Sequence, residues 1–253
     1  MFQVVIPARF ASTRLPGKML APIAGRPLIH WVWERARASG AQRVVIATDD
    51  ERIAAAARAF GAEVELTAAE LPSGTDRVAE VARRAGFDGR DVIVNLQGDE
   101  PLVDPALIAR LAAALGEDDR ADIATAVAPI ASLEEFLDPN CVKAVADGRG
   151  RALYFSRSPV PWPRDHVEGG RPTVHAGAWR HIGLYAYRVE SLLRFASLAP
   201  TPLELCERLE QLRALEHGMS IKVIALERAP PPGIDTPADL ARVRAVLEGG
   251  AGG

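Results

Sequence analysis

The chain has 253 residues, 48% of them hydrophobic and 25% charged, proportions that suit a folded protein with a sizeable core and exclude a disordered or fibrous one. With 30 Lys and Arg against 33 Asp and Glu, the net charge is -3. That argues against a nucleic-acid binder, because phosphate backbones are held by clustered cations, yet local positive charge is enough for a small anionic substrate.

The first half alternates short β-branched runs with helical periodicity, the pattern of a mostly parallel sheet flanked by helices. It predicts strands over 2–6, 43–48, 63–67, 92–96 and 123–127, and helices over 28–38, 51–60, 75–85 and 105–115. Past residue 129 the rhythm changes. Strands are predicted over 142–146, 152–156 and 182–187, with the Pro- and Gly-rich segment 158–177 as a long surface loop. Thr201-Pro202-Leu203-Glu204 reads as an N-cap, a first-turn proline and an acid three residues after the cap, opening a helix over 202–217. A strand over 220–226 follows. Thr236-Pro237-Ala238-Asp239 repeats the start signal for a last helix to about residue 247.

The two cysteines, Cys141 and Cys206, lack CxxC spacing and zinc-type partners, so free thiols in a reducing compartment are expected. Residues 1–7 carry no basic region followed by an apolar one, and no run approaches the roughly 20 apolar residues of a membrane span. A cytoplasmic protein is the expectation.

Two segments at predicted strand ends, and two just before predicted helices, bear chemistry. Pro7-Ala8-Arg9-Phe10-Ala11-Ser12-Thr13-Arg14-Leu15-Pro16-Gly17-Lys18 follows the first strand, and open α/β sheets bind ligands at the carboxyl ends of strands. Arg9, Arg14 and Lys18 can neutralise a polyphosphate wrapped by the loop backbone. It is not a Walker A loop, since Ser12 and Met19 stand where that motif needs Gly and Ser or Thr. Gln97-Gly98-Asp99-Glu100-Pro101 follows 92–96 and supplies Asp99 as a ligand for a hard cation such as magnesium. Ser73-Gly74-Thr75-Asp76-Arg77 precedes a helix and serves either as a cap or as a contact to a base edge. Asp235 lies just before the last helix, where an acid is favourable to the dipole whatever else it does. In the second half, Arg157 can fork onto a carboxylate, and His181 and Tyr185 can bond hydroxyls. Glu204, Glu207 and Gln211 fall on one face of the predicted helix 202–217.

Taken together, IPARFASTRLPGK, IATDD, SGTDR, VNLQGDEP, DPNCVKAV, ALYFSRSPVPW, RHIGLYAYR, PLELCERLEQLR and GIDTPADL closely resemble the 3-deoxy-manno-octulosonate (Kdo) cytidylyltransferases, the CMP-Kdo synthetase family. The resemblance implies a nucleotide-diphospho-sugar transferase fold, with 1–129 and 220–248 as nucleotide-binding core and 130–219 as a sugar-binding and dimerisation region of one cytidylyltransferase domain. It implies that Ala8, Arg9, Arg14, Lys18, Thr48, Asp49, Ser73, Gly74 and Arg77 meet CTP. Gln97, Arg157, His181, Tyr185, Glu204 and Gln211 would form the sugar pocket. Asp99 and Asp235 would bind Mg2+, and Arg9, Lys18, Asp99 and Asp235 would be catalytic. It further implies a homodimer supplying CMP-Kdo to lipopolysaccharide synthesis. Rival readings are a cytidylyltransferase for 8-amino-Kdo or a sialic acid, a glycosyltransferase on the same fold, and a non-catalytic nucleotide-binding regulator.

Overall fold

A computed structural model describes residues 1–11, 15–175 and 177–249. In chain order the elements are β1 (Phe2–Ala8), the 3-10 turn Lys18–Leu20, β2 (Pro22–Ile23), β3 (Arg26–Pro27), α1 (Leu28–Ala38), β4 (Arg43–Thr48), α2 (Glu51–Ala59), β5 (Glu63–Leu66), α3 (Gly74–Ala85), β6 (Val92–Asn95) and α4 (Pro105–Gly116). Then come β7 (Ile123–Pro129), α5 (Leu133–Leu137), β8 (Lys143–Ala146), β9 (Ala152–Ser156), β10 (Val167–Glu168), β11 (Arg171–Pro172), β12 (Trp179–Arg188), α6 (Val189–Ser197), α7 (Pro202–Glu207), α8 (Gln211–Glu216), β13 (Ile221–Ala225) and α9 (Pro237–Gly249). The chain divides into two compact units, one of Met1–Ala112, Tyr187–Ala196 and Pro230–Gly253, the other of Ala113–Ala186 and Ser197–Ala229.

In the first unit β1 is central. Val4, Val5, Ile6 and Ala8 are fully buried, as expected of a parallel strand covered on both faces. β1 pairs in parallel with β4 and β6, and β4 in parallel with β5. α3 shows why a helix starts where it does. Ser73 at its N-cap accepts from the Asp76 backbone N–H at 3.2 Å, and the Asp76 carboxylate accepts from the Ser73 N–H at 3.1 Å, a reciprocal cap that satisfies two otherwise orphaned donors. Gly86, at φ 64°, ends the helix in the left-handed conformation that glycine adopts without strain.

In the second unit the sheet is mixed. β13 runs parallel to β7, while β8 is antiparallel to both β12 and β9. The 158–177 segment is not a plain loop, because β10 and β11 form a short antiparallel hairpin within it. The predicted helix 202–217 is two helices. Arg208 breaks it in the left-handed region, with φ 54°. In a continuous helix the Glu207 carbonyl would accept from the N–H of residue 211; instead it accepts from Arg157 Nε at 2.6 Å. The single face expected for Glu204, Glu207 and Gln211 is therefore corrected: Gln211 opens a different helix.

Candidate active site

The register of the first unit's sheet sets Ala8 beside Thr48 and Val5 beside Asn95. The carboxyl ends of β1, β4 and β6 thus share one edge. Arg9, Asp49 and the segment Gln97 to Asp99 leave the sheet there, at the place where open α/β sheets take ligands.

Lys18 organises this edge. Gly17, at φ 68°, precedes it, and a Cβ added at that position would lie only 3.2 Å from the Phe10 ring, so both conformation and space call for glycine. The Lys18 side chain, 10% exposed, reaches Asp99 Oδ2 at 2.5 Å and Asp235 Oδ1 at 3.4 Å. Its third donor goes to the Ile234 carbonyl at 2.9 Å. The ammonium is itself a cation held by both carboxylates, and so marks a point that Asp99 and Asp235 reach together. They rise from the segment after β6 and the one before α9. Magnesium is held by one or two carboxylates with water and phosphate oxygens completing its shell; this donor set fits it.

Asp235 is not the cap of α9. Thr236 and Asp239 cap the helix reciprocally. Thr236 Oγ1 accepts from the Asp239 N–H at 3.2 Å, and Asp239 Oδ2 accepts from the Thr236 N–H at 2.9 Å. The Asp235 side chain is half exposed and turned to Lys18. A residue that pattern reading passed over makes this approach feasible. A Cβ on Gly233 would lie 2.9 Å from the Asp99 carbonyl and 2.8 Å from Glu100 Oε1, and the Ile234 N–H donates to that same carbonyl at 2.9 Å. The signal was a glycine between the Pro230-Pro231-Pro232 run and the helix start. Gly98 is similar, with the Pro7 carbonyl 3.0 Å from its would-be Cβ.

Around this centre, Arg9 donates to the Leu71 carbonyl at 2.6 Å and Gln97 Nε2 to Asn95 Oδ1 at 3.3 Å. Gly74 packs with its would-be Cβ 3.3 Å from Pro7 and 3.6 Å from Gln97 Oε1. The Ser73 hydroxyl is engaged as cap, donating to Asp76 Oδ2 at 2.8 Å. Ala8 and Thr48 are buried strand ends. Arg77 is wholly buried and pairs with Asp49 at 3.0 Å and with the Thr67 hydroxyl. Burial holds its guanidinium below the ordinary value, against the pull of Asp49. The structure sets Arg77 behind Asp49 as a brace rather than on an open surface. Arg14 lies outside the described residues.

The second unit holds Arg157, His181, Tyr185, Glu204 and Gln211. Arg157 Nε and Nη1 donate to the carbonyls of Glu207 and Pro139 at 2.6 and 2.9 Å. Both acceptors are backbone carbonyls. The Glu207 carboxylate accepts from the Ser156 hydroxyl at 2.7 Å and the Arg157 N–H at 2.9 Å. Glu204 forms a buried pair with Arg213 at 2.5 Å and accepts from the Thr201 N–H at 3.2 Å, which makes it a brace of α7 on α8. Gln211 is buried. His181 Nε2 lies 3.0 Å from Thr125 Oγ1, and that hydroxyl is 3.0 Å from the Leu184 carbonyl. Since a hydroxyl has one proton, donation to the carbonyl makes it an acceptor for His181 Nε2–H. The imidazole packs against Phe155 and Tyr185, with ring centroids 4.8 and 5.4 Å away. Burial pushes its pKa down to about 3, so it is neutral. Lys143, fully buried and missed by pattern reading, donates to the carbonyls of Asp138, Cys141 and Arg157 at 2.9, 2.6 and 2.6 Å. A lysine between apolar positions of a strand was the only signal.

A parallel sheet edge that gathers cations and a carboxylate pair defines an enzyme built for nucleotide phosphates, and the cytidylyltransferase family model matches residues 3–221. The protein of Halorhodospira halophila called 3-deoxy-manno-octulosonate cytidylyltransferase is 53% identical over 98% of this chain and 97% of its own length. That of Cellvibrio japonicus, with the same name, is also 53% identical, over 98% and 99%. A solved CMP:2-keto-3-deoxy-manno-octonic acid synthetase complexed with CTP has a TM-score of 0.89 and 40% identity, covering 99% of this chain and 100% of that one. The chain belongs to the cytidylyltransferase family, in its 3-deoxy-manno-octulosonate cytidylyltransferase branch, and has the nucleotide-diphospho-sugar transferase fold.

Proposed function

We propose that this chain transfers CMP from CTP to the anomeric 2-hydroxyl of 3-deoxy-D-manno-octulosonate, giving CMP-Kdo and pyrophosphate for lipopolysaccharide biosynthesis. The observation that carries the reading is the convergence of Lys18, Asp99 and Asp235 at the sheet edge of a chain 53% identical to its relatives across nearly its whole length. The sugar oxygen bonds to the α-phosphorus as the bond from that phosphorus to the β-phosphate bridge breaks, so the task is positioning and charge stabilisation rather than covalent catalysis by the protein.

Bound magnesium supplies charge neutralisation at phosphate oxygens. Asp99 and Asp235 are the residues that would hold it. Lys18 and Arg9 offset the remaining charge of the triphosphate, and the segment at Ser73 and Gly74 flanks the base. We place the reaction in the cytoplasm and in a homodimer, as the family resemblance implies. No helix among the described residues is long and apolar enough to cross a membrane.

Pyrophosphate release from CTP, with a panel of Kdo, 8-amino-Kdo and sialic acid, tests the proposal. Turnover with Kdo well above the others is the expected result. Release with none of them, or of a nucleoside diphosphate from a nucleotide sugar, would overturn it.

A further inference from the structure

The cluster of Lys18, Asp99 and Asp235 does more than gather charge. The ammonium stands within hydrogen-bond reach of both carboxylates, with all three of its protons directed to Asp99, Asp235 and the Ile234 carbonyl. It therefore occupies the place between the two acids that the magnesium reading assigns to the metal. A divalent ion needs those oxygens at about 2.0–2.1 Å, and a lysine ammonium 2.5 Å from one of the same oxygens leaves no room for both and repels the ion electrostatically.

We propose that Lys18 is an internal counter-ion that keeps this site from taking a divalent cation until a polyphosphate arrives. In the nucleotide-free protein, the acids are already neutralised and held in place by Lys18. Only a triphosphate, by offering Lys18 another anion, frees the carboxylates, so the cation is taken together with the nucleotide rather than before it. The chain is built for such an exchange. The Lys18 backbone is fixed by the turn after Gly17, while its four-carbon stem is flexible and its anchor at Ile234 is a neutral carbonyl. Asp99 and Asp235 are 25% and 50% exposed, so neither is sealed with its partner as a buried structural pair would be. Lys18 is thus a positioning residue for the carboxylates before nucleotide binding and a phosphate ligand after it. The inference rests on the proposed magnesium role of Asp99 and Asp235.

The test is direct binding of Mn2+, followed by the electron paramagnetic resonance signal of the free ion, to the nucleotide-free protein. Wild type is expected to bind at least about tenfold more weakly than Lys18→Met, a modest fraction of the full interaction between a unit charge and a divalent ion at this range. The gain should vanish in Lys18→Met combined with Asp99→Asn. Lys18→Gln, which keeps a donor toward Asp99 but removes the charge, gives the same reading if the methionine variant does not fold. Equal Mn2+ affinity of wild type and the Lys18 variants, with loss on Asp99→Asn, would overturn the counter-ion role and leave the metal site standing. Mn2+ binding that is insensitive to Asp99→Asn in every background, including with CTP present, would overturn the metal reading itself and this inference with it.

Discussion

Two charge clusters, one from each unit, use charge differently. In the first, Lys18, Asp99 and Asp235 come from three distant segments, share one point and keep part of their surface in water. In the second, Lys143 and Arg157 donate to backbone carbonyls, and Glu204 is sealed against Arg213. A buried cation held by three backbone carbonyls at once, as Lys143 is, acts as a fastener. A charge shared among side chains at an edge can be handed to a ligand. Residue type alone does not separate these uses.

The sharpest way to break the comparison is Glu204→Ala, which leaves Arg213 buried without its carboxylate. Removing one partner of a buried pair costs about 3–5 kcal/mol, so the melting temperature should drop by roughly 10 °C for a chain of this size, with the KM for sugar little changed. A raised KM at an unchanged melting temperature would assign Glu204 to the sugar pocket rather than to the brace. Next is Asp235→Asn, with Asp99→Asn beside it. Thr236 and Asp239 cap α9, so folding should hardly change, while turnover should fall at least roughly 10²-fold, as for loss of one major charge-stabilising contact. Full activity of Asp235→Asn in the pyrophosphate assay would show that the half-exposed acid is idle.

The smallest effect concerns His181 and sharpens the contrast by pH. Its folded pKa is about 3 because of burial, against about 6.5 when unfolded. The unfolded chain therefore takes up a proton below pH 6.5 that the native state refuses. Stability from this group is complete above pH 6.5, is lost as pH falls toward 3, and is flat below that. Between pH 7 and pH 5, wild type should lose about 2 kcal/mol more than His181→Gln. Urea denaturation of both proteins at the two values measures it, and equal losses would mean that the ring is open to water.

Much of the fold was legible because local rules governed it. Leu28–Ala38, Arg43–Thr48 and Ala152–Ser156 form as periodicity predicts, and the reciprocal cap of α9 forms as its start signal predicts. The helix over 202–217 is broken at Arg208, and the Glu207 carbonyl left without a helical partner accepts from Arg157, 50 residues away; no local pattern carries that. In the site, Arg9, Lys18 and Asp99 could be picked out because their segments follow strand ends, whereas Asp235 stands before a helix. The position of Lys18 between the acids could not, since it depends on the docking of the segment at Gly233. Nor could the bonds from Arg157 to backbone carbonyls, because a backbone acceptor leaves no mark in sequence.

That docking has a consequence for how the enzyme comes into being. The bond from Lys18 to Asp235 spans 217 positions, and nearly the whole chain must leave the ribosome before it can close. Until then the nascent sheet carries Lys18 and Asp99 with one wall of the site missing. Such distant closure is slow relative to local helix formation. A polypeptide that stops before Gly233 lacks Asp235 and cannot present the paired carboxylates.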